Sequence, residues 1–544
     1  MKTTLLVLAA STLTLAQRAT ANDDACVLLA AGDALEGGRT VVRIRDVDID
    51  DAGRWAARVE ARRGQDPVHT VLVVDGQVVM EPGDPLSSGD VVVAVFETRL
   101  VEGGRTLSGC YGGATGDIFT ATTRLVLDDR TVLAEGDPVP APSLPAGVRV
   151  DRVHHAEVAG VHVVASCVLA MPTGDLVDAL LSYVIAGSDL ASPRVLARRL
   201  TAPGGLTRPI DEFLPSMAVT SDGTYVATLT QLAAADDVTA GLYDGAAAFE
   251  SGSQAPAGAG TWESISPRVA CARGVGYVVS GALEAATGPA RGIVATETAV
   301  VALAGAPLAA SPGDVVGTFH GTEVEIAESG EIFFGVPVEG GGDVLVAGDE
   351  VLVRTGAALS NGSALEGLPF GSFGSLAISR TGSRVLFVGI ADGGGDALVL
   401  VEREAGAPDG CVAVENSTGA VGELRALGSR YVAMNALRVR ASSLPSHAFG
   451  LLLTSRAAGF VANPAGSSGN LCLGGAIGAF PSTVRSDAGG GVSIPVDLGA
   501  LPQPLGQVAA SAGETWRFQL LHRDAVPTGG ATTNFTSSVA VTLR

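Results

Sequence analysis

The chain of 544 residues has little charge and few aromatics: 17% charged side chains and 4% Phe, Trp and Tyr. The charge it has is one-sided, with 35 Lys and Arg against 57 Asp and Glu, a formal net charge of −22. A chain this acidic has no general attraction for nucleic acid or for an anionic membrane surface. It has no sustained heptads and no block of like charge, which excludes a coiled coil and a charged tail. It has no CxxC pair, which removes the usual zinc frameworks, and neither a GxSxG elbow nor an HExxH motif. Beyond the first 21 residues no uncharged apolar run is long enough to span a bilayer.

What is present is glycine, 72 residues, and a hydrophobic fraction of 47%. The chain is too apolar to be disordered. Many short Val-rich runs are separated by Gly, Pro, Asp and Ser, the pattern of an all-β protein. Residues 1–21 read as a secretory signal: Lys2, an apolar run from Leu5 to Ala16, and Ala19-Thr20-Ala21 as a small-residue cleavage site. Loss of Lys2 and Arg18 takes the net charge from −22 to −24. The expected destination is extracellular, periplasmic or cell-surface, with no transmembrane segment after signal removal. Cys26 lacks the pattern that precedes a lipidated cysteine.

Six cysteines in an exported chain are disulfide candidates. Cys411 and Cys472 share the C-terminal region and are the favoured bridge; Cys26, Cys110, Cys167 and Cys271 are not assigned.

Two markers recur along the chain. One is a strand ending in Gly-Asp-Pro-Leu or a weaker form of it, with its glycine at 32, 83, 136, 187, 252, 305, 356 and 406. The other is a turn glycine followed by an apolar strand, at 53, 103, 160, 223, 274, 330 and 382. The two series keep step, and each repeat of about 50 residues has room for four short strands, the size of one propeller blade. Seven intervals between Gly32 and Gly406 predict a seven-bladed β-propeller over residues 22–406, with the N-terminal strand at 26–32 joining the last blade. An open solenoid, two stacked sandwiches, or an eighth blade drawn from the C-terminal region are the alternatives.

Residues 407–544 lie outside the repeat and are long enough for a β-sandwich. Strands are expected at Tyr431–Ala433, Leu437–Arg440, Gly450–Leu453, Trp516–Leu520 and Val539–Leu543. The order of Cys411, Asn416-Ser417-Thr418-Gly419, Leu471-Cys472-Leu473-Gly474-Gly475, Ile494-Pro495-Val496-Asp497-Leu498, Gly513-Glu514-Thr515-Trp516-Arg517-Phe518-Gln519, His522-Arg523-Asp524 and Asn534-Phe535-Thr536 is informative. It resembles a C-terminal domain of secreted proteins of planctomycetes and myxobacteria-like bacteria. Ala479 departs from the Arg often found there before the aromatic residue, here Phe480. The resemblance implies an exported accessory or display domain, and it implies no activity.

Candidate chemistry is sparse. Asp46, Asp48, Asp50 and Asp51 suggest calcium, but the EF-hand order fails, with Asp51 where Gly belongs and Ala57 where Glu belongs. His154, His155 and His162 are close in sequence, with a turn at Gly160 between them. Asp33, Asp84 and Asp137 are expected to cap their own turns. His522, Arg523 and Asp524 read as the polar end of a half-buried strand. Glu323 and Glu325 share one face of a strand, a pairing that glycoside hydrolysis could use only across a cleft. Between Gly187 and Gly223 an apparent insertion carries Arg194, Arg198, Arg199 and Arg208, a basic loop expected to meet an acidic partner or glycan.

The expectation is therefore a monomeric, non-enzymatic binding or envelope protein, with no catalytic residue and no cofactor. Calcium stays open as the one metal, and a protein or glycan of the cell envelope is the expected partner. The alternative is an extracellular propeller hydrolase acting on carbohydrate or an ester. The axial channel discriminates between them: a binder should show a shallow, uncharged channel, and a hydrolase should gather carboxylates in a deep one.

Overall fold

The structure is a computed structural model that describes residues 25–544 except 115–116, 233–237, 286–288, 369–374, 404–405, 412, 429, 431, 433–434, 436 and 526–529. The expected signal and the ends of the expected strand at Tyr431–Ala433 lie outside the described residues. Among the described residues the chain is nearly all β, with two short 3-10 turns at Pro256–Gly258 and Pro464–Gly466. No helix there is long and apolar enough to cross a membrane.

Up to residue 402 the strands build seven antiparallel sheets of four or five strands, with a two-stranded ribbon, Pro307–Leu308 and Ser311–Val315, at one crossover. The first strands of the sheets are Arg39–Ile49, Val91–Val101, Arg149–Ala159, Ile210–Val219, Trp262–Ala272 and Val324–Ile326. In the seventh sheet this position is shared by Leu365–Gly367 and Leu376–Ile378. Each first strand packs on the next, and Leu376–Ile378 packs back on Arg39–Ile49. The outer strand of the seventh sheet is Ala25–Ala30, antiparallel to Gly395–Glu402 with Ala25 opposite Val401.

The sequence dictates this arrangement through its continuous apolar runs. In the strand Arg384–Ala391, Val385 and Phe387 enter the core shared with the sixth sheet, while Leu386 and Val388 enter the core shared with the first. A strand buried on both faces has no polar side to alternate with. Each such fully buried side chain contributes about 1.5–3 kcal/mol relative to exposure, so a lone sheet would leave that stabilisation unrealised on two faces.

The crossovers explain the first repeat marker. Gly32, Gly83 and Gly136 have φ of +95°, +98° and +89°, a region that side chains with a Cβ rarely enter. Their N–H groups donate to Val41, Val92 and Val150 on the next sheet, at 2.8–2.9 Å. The aspartate that follows accepts an amide three residues back: Asp33 from Ala30, Asp84 from Glu81 and Asp137 from Ala134, at 2.7–2.8 Å. These three carboxylates sit at crossovers, each spent on its own turn.

One assignment needs correction. Gly187 is not a crossover. Gly187 and Ser188 turn the hairpin between Leu176–Ala186 and Asp189–Arg198, with Ala186 opposite Asp189. The crossover is at Leu200, which has φ +63° and donates to Ile210 at 2.9 Å. The extra length is therefore not a loop inserted before the fourth sheet. It is an outer hairpin with strands of 11 and 10 residues, against 6 and 5 in the second sheet.

After residue 406 a six-stranded sheet and a three-stranded sheet share one core, in which Leu424, Val439 and Ile494 meet Trp516, Phe518, Leu520 and Val541. Cys411 and Cys472 form a disulfide. Closing a loop of 61 residues should stabilise this region by about 4 kcal/mol in the chain-entropy account. Cys411→Ser with Cys472→Ser is expected to lower the melting temperature of the C-terminal region selectively. Unchanged calorimetry on reduction would contradict this.

Candidate active site

A cavity of about 850 Å³ lies where the first strands converge, and all seven sheets contribute to its lining. Most of its charged residues come from the stretch that precedes a turn glycine, Arg58 on the second strand of the first sheet being an exception. In an extended strand, residues two apart point the same way. Asp46 and Asp48, Glu97 and Arg99, His155 and Glu157, and Glu323 and Glu325 are such pairs from four different sheets, and all line the cavity.

Arg99 organises the first group. Its Nη1 donates to Asp46 (2.8 Å), and its Nε and Nη2 hold Glu157 in a two-bond fork at 2.7 and 2.6 Å. His155 lies between Glu97, which contacts Nδ1, and Glu157, 3.0 Å from Nε2. Burial disfavours a charged ring here, but the flanking Glu97 and Glu157 carboxylates overcome it and hold His155 protonated, its pKa pushed up to about 10. Burial likewise opposes charge on Glu157, yet Arg99 and His155 bring it down to about 2. Arg268 and Glu323 form a second ion pair.

Two carboxyls in this cavity lack such compensation. Burial pushes Asp48 up to about 6, against the pull of Arg99 and of the Leu100 amide, which donates to it at 2.6 Å. Burial, reinforced by the Glu157 and Asp48 carboxylates, pushes Glu325 up to about 8. Asp48 is thus ionised, and Glu325 protonated, around neutral pH.

The turn ends of the first strands meet over one end of the cavity. Arg380 pairs with Asp51 at 3.1 Å and with Glu328 at 3.8 Å, and Ser221 of the fourth sheet reaches Glu328 of the sixth at 3.5 Å. The other end carries Arg58, Phe96, Tyr111, Arg152 and His154.

The acidic run does not form a calcium loop. Asp46 accepts from Thr98 and Arg99, Asp48 from Leu100 and Ile49, Asp50 from Arg54, and Asp51 from Thr381. The four carboxylates diverge along the strand: Asp46, Asp48 and Asp51 link sheets, and Asp50 closes its own turn. Among the described residues no cluster of three His, Cys, Asp or Glu is placed to hold a metal ion. Of the three histidines only His155 joins the charged network, while His154 stands exposed at the open end. His522 is buried, and its Nδ1 donates to the Arg523 carbonyl at 3.2 Å. Asp524 accepts from Ser417 and Ala525, so this group holds a strand end.

The basic residues proposed for a loop are dispersed. Arg194 and Arg198 lie on the outer strand of the third sheet, Arg199 pairs with Asp211 at 2.8 Å, and Arg208 is exposed before Ile210. None of the four lines the central cavity. The sequence reading missed Glu97, Arg99 and Glu157, and gave Asp48 only a calcium role. The available signal was the i, i+2 charged pair shortly before each of four turn glycines.

No family model matches the chain, and no curated protein does. Among solved structures it is similar to the β-propeller domain of the Trilobed protease from Pyrococcus furiosus, at TM-score 0.34 and 8% identity, over 67% of this chain and 97% of that one. It is similar to prolyl oligopeptidase B from Galerina marginata, at TM-score 0.33 and 10% identity, and spans 55% of that protein with 74% of its own length. It is also similar to the α-L-arabinofuranosidase Arb93A from Fusarium graminearum, at TM-score 0.30 and 9% identity, over 69% of this chain and 97% of that one.

Proposed function

We propose that the chain is an exported glycoside hydrolase, built on a seven-bladed β-propeller with a C-terminal β-sandwich as accessory domain. The seven sheets with successive contacts between their first strands support the propeller, and the core shared by the two C-terminal sheets supports the sandwich. The observation that carries the catalytic reading is one cavity holding a protonated carboxyl, Glu325, beside an ionised one, Asp48. Environments that push two carboxyls apart assign the acid and the base. Glu325 donates its proton to the leaving oxygen as the glycosidic C–O bond breaks. Asp48 takes a proton from the water that adds to the anomeric carbon. Glu157, fixed as an anion by Arg99 and His155, faces the positive charge that develops on the sugar and keeps Glu325 protonated beforehand.

The same cavity argues against a shallow, uncharged binding channel and against an ester hydrolase with a serine nucleophile. Ser216 and Ser221 line it, but the Ser216 hydroxyl accepts the Val269 amide at 3.3 Å, the Ser221 hydroxyl donates to Glu328 at 3.5 Å, and no histidine hydrogen-bonds to either among the described residues.

The test is release of reducing sugar from a panel of oligo- and polysaccharides across pH. Activity needs Asp48 deprotonated and Glu325 protonated, so kcat/KM should be bell-shaped with limbs near pH 6 and pH 8. Absence of glycoside cleavage, or a rate flat from acid to alkaline pH, would reject the assignment.

A further inference from the structure

The end of the cavity away from the turn glycines differs in charge from both the network beside it and the protein as a whole. Arg58, from the second strand of the first sheet, and Arg152, from the first strand of the third sheet, both line it. Among the described residues neither has an ion-pair partner, although the chain carries 57 acidic residues against 35 basic ones. Arg58 is only partly exposed, and its Nε is buried without a hydrogen bond. A guanidinium left in this state lacks the planar, two-oxygen partner that its fork fits best.

Between these two sheets the second sheet places an aromatic pair on the same rim. Phe96 and Tyr111 are edge to face with centroids 5.3 Å apart, and both line the cavity. Gly109 makes room for this: a Cβ there would stand 2.4 Å from the Phe96 ring and 2.7 Å from Glu97. An acidic protein repels an acidic substrate at long range, so unpaired cations on the rim have a recognisable use.

We propose that this mouth is a subsite for the carboxylate of an acidic sugar. Arg58 and Arg152 bind the carboxylate, the ring of the sugar lies against Phe96 and Tyr111, and the next glycosidic bond is directed toward Glu325 and Asp48. The proposal rests on the hydrolase reading for the chemistry beneath, but the binding itself does not require turnover. The substrate class is then uronic-acid-containing glycan.

The experiment is calorimetric titration of the full chain carrying Glu325→Gln. The probes are di- and trisaccharides of galacturonate, glucuronate and mannuronate, each compared with its methyl ester. At least one acid is expected to bind tenfold or more tighter than its ester. Arg152→Gln, at an exposed position, should remove that preference while leaving ester binding unchanged, and Arg58→Gln should do the same. Equal affinity for acid and ester, no binding across all three series, or a preference that survives both substitutions would overturn the subsite. The wild-type chain, assayed separately for cleavage, keeps the two readings apart. Acid-selective binding without cleavage of any glycoside sinks the hydrolase and leaves the subsite. Cleavage of neutral glycosides with unresponsive arginine variants does the reverse.

Discussion

Arg99→Ala is expected to cost about 3–5 kcal/mol of stability, the range for leaving a buried charge without its partner. Arg99 belongs to the second sheet, Asp46 to the first and Glu157 to the third, so one guanidinium joins three sheets around the cavity. Without it, Asp46 and Glu157 face each other's charge with His155 as the remaining cation. The loss should depend on pH. Glu157 has a folded pKa of about 2, below its ordinary 4.5, so its contribution is present above 4.5 and fades as pH falls toward 2. The deficit of the variant is therefore fully developed above about pH 4.5 and narrows in acid. His155 works in the opposite sense: held up at about 10 from an ordinary 6.5, it stabilises fully below 6.5 and loses that contribution as pH rises through 10. Urea unfolding at pH 3, 6 and 9 resolves the two. Arg99→Lys keeps the charge but not the fork to Glu157, and an intermediate loss is expected. A variant as stable as the parent at pH 6 would show that the network does not hold the sheets.

How much of this could be read from sequence follows from which features are local. The crossover glycines were visible because positive φ at a fixed point of each repeat restricts the residue there, as at Gly32, Gly83 and Gly136. The same rule misled at the third repeat. Gly187-Ser188 satisfies a two-residue hairpin turn, while Leu200 takes φ +63° at the true crossover without a glycine to mark it. The site was harder to see because it is non-local. Glu323 and Glu325 were legible as a same-face pair, but their meaning depends on Asp48 and Glu157, which reach them only because the first strands of distant sheets share one cavity. Asp48 looked like part of an acidic run because its neighbours are acidic. Its own amide contacts, to Ile49 and Leu100, become apparent only once the second sheet lies against the first. An i, i+2 charged pair just before the turn glycine is the local trace of such a site, and it was present in four repeats.

Glu325→Gln should lower turnover by about 10²- to 10⁴-fold, the usual contribution of a positioned general acid, and raise stability at the same time. Both effects come from one cause. The Glu325 carboxyl hydrogen-bonds to no side chain or amide among the described residues, and burial with two neighbouring carboxylates keeps its proton on until about pH 8. An amide has a similar shape and no proton to donate, so the chemical step fails while the cavity is preserved. In the parent chain the folded state binds a proton that the unfolded state releases above about 4.5, so stability falls as pH rises from there to about 8. The Gln variant escapes that fall. It should match the parent at pH 4 and exceed it at pH 9, by a gain on the order of 2 kcal/mol because solvent in the cavity screens part of the ionisation cost. The alkaline limb of any residual rate should vanish with the carboxyl, while the acid limb set by Asp48 stays. A residue serving only the fold would show the opposite pairing, with stability lost and the pH profile retained, and that result would remove Glu325 from the catalytic role.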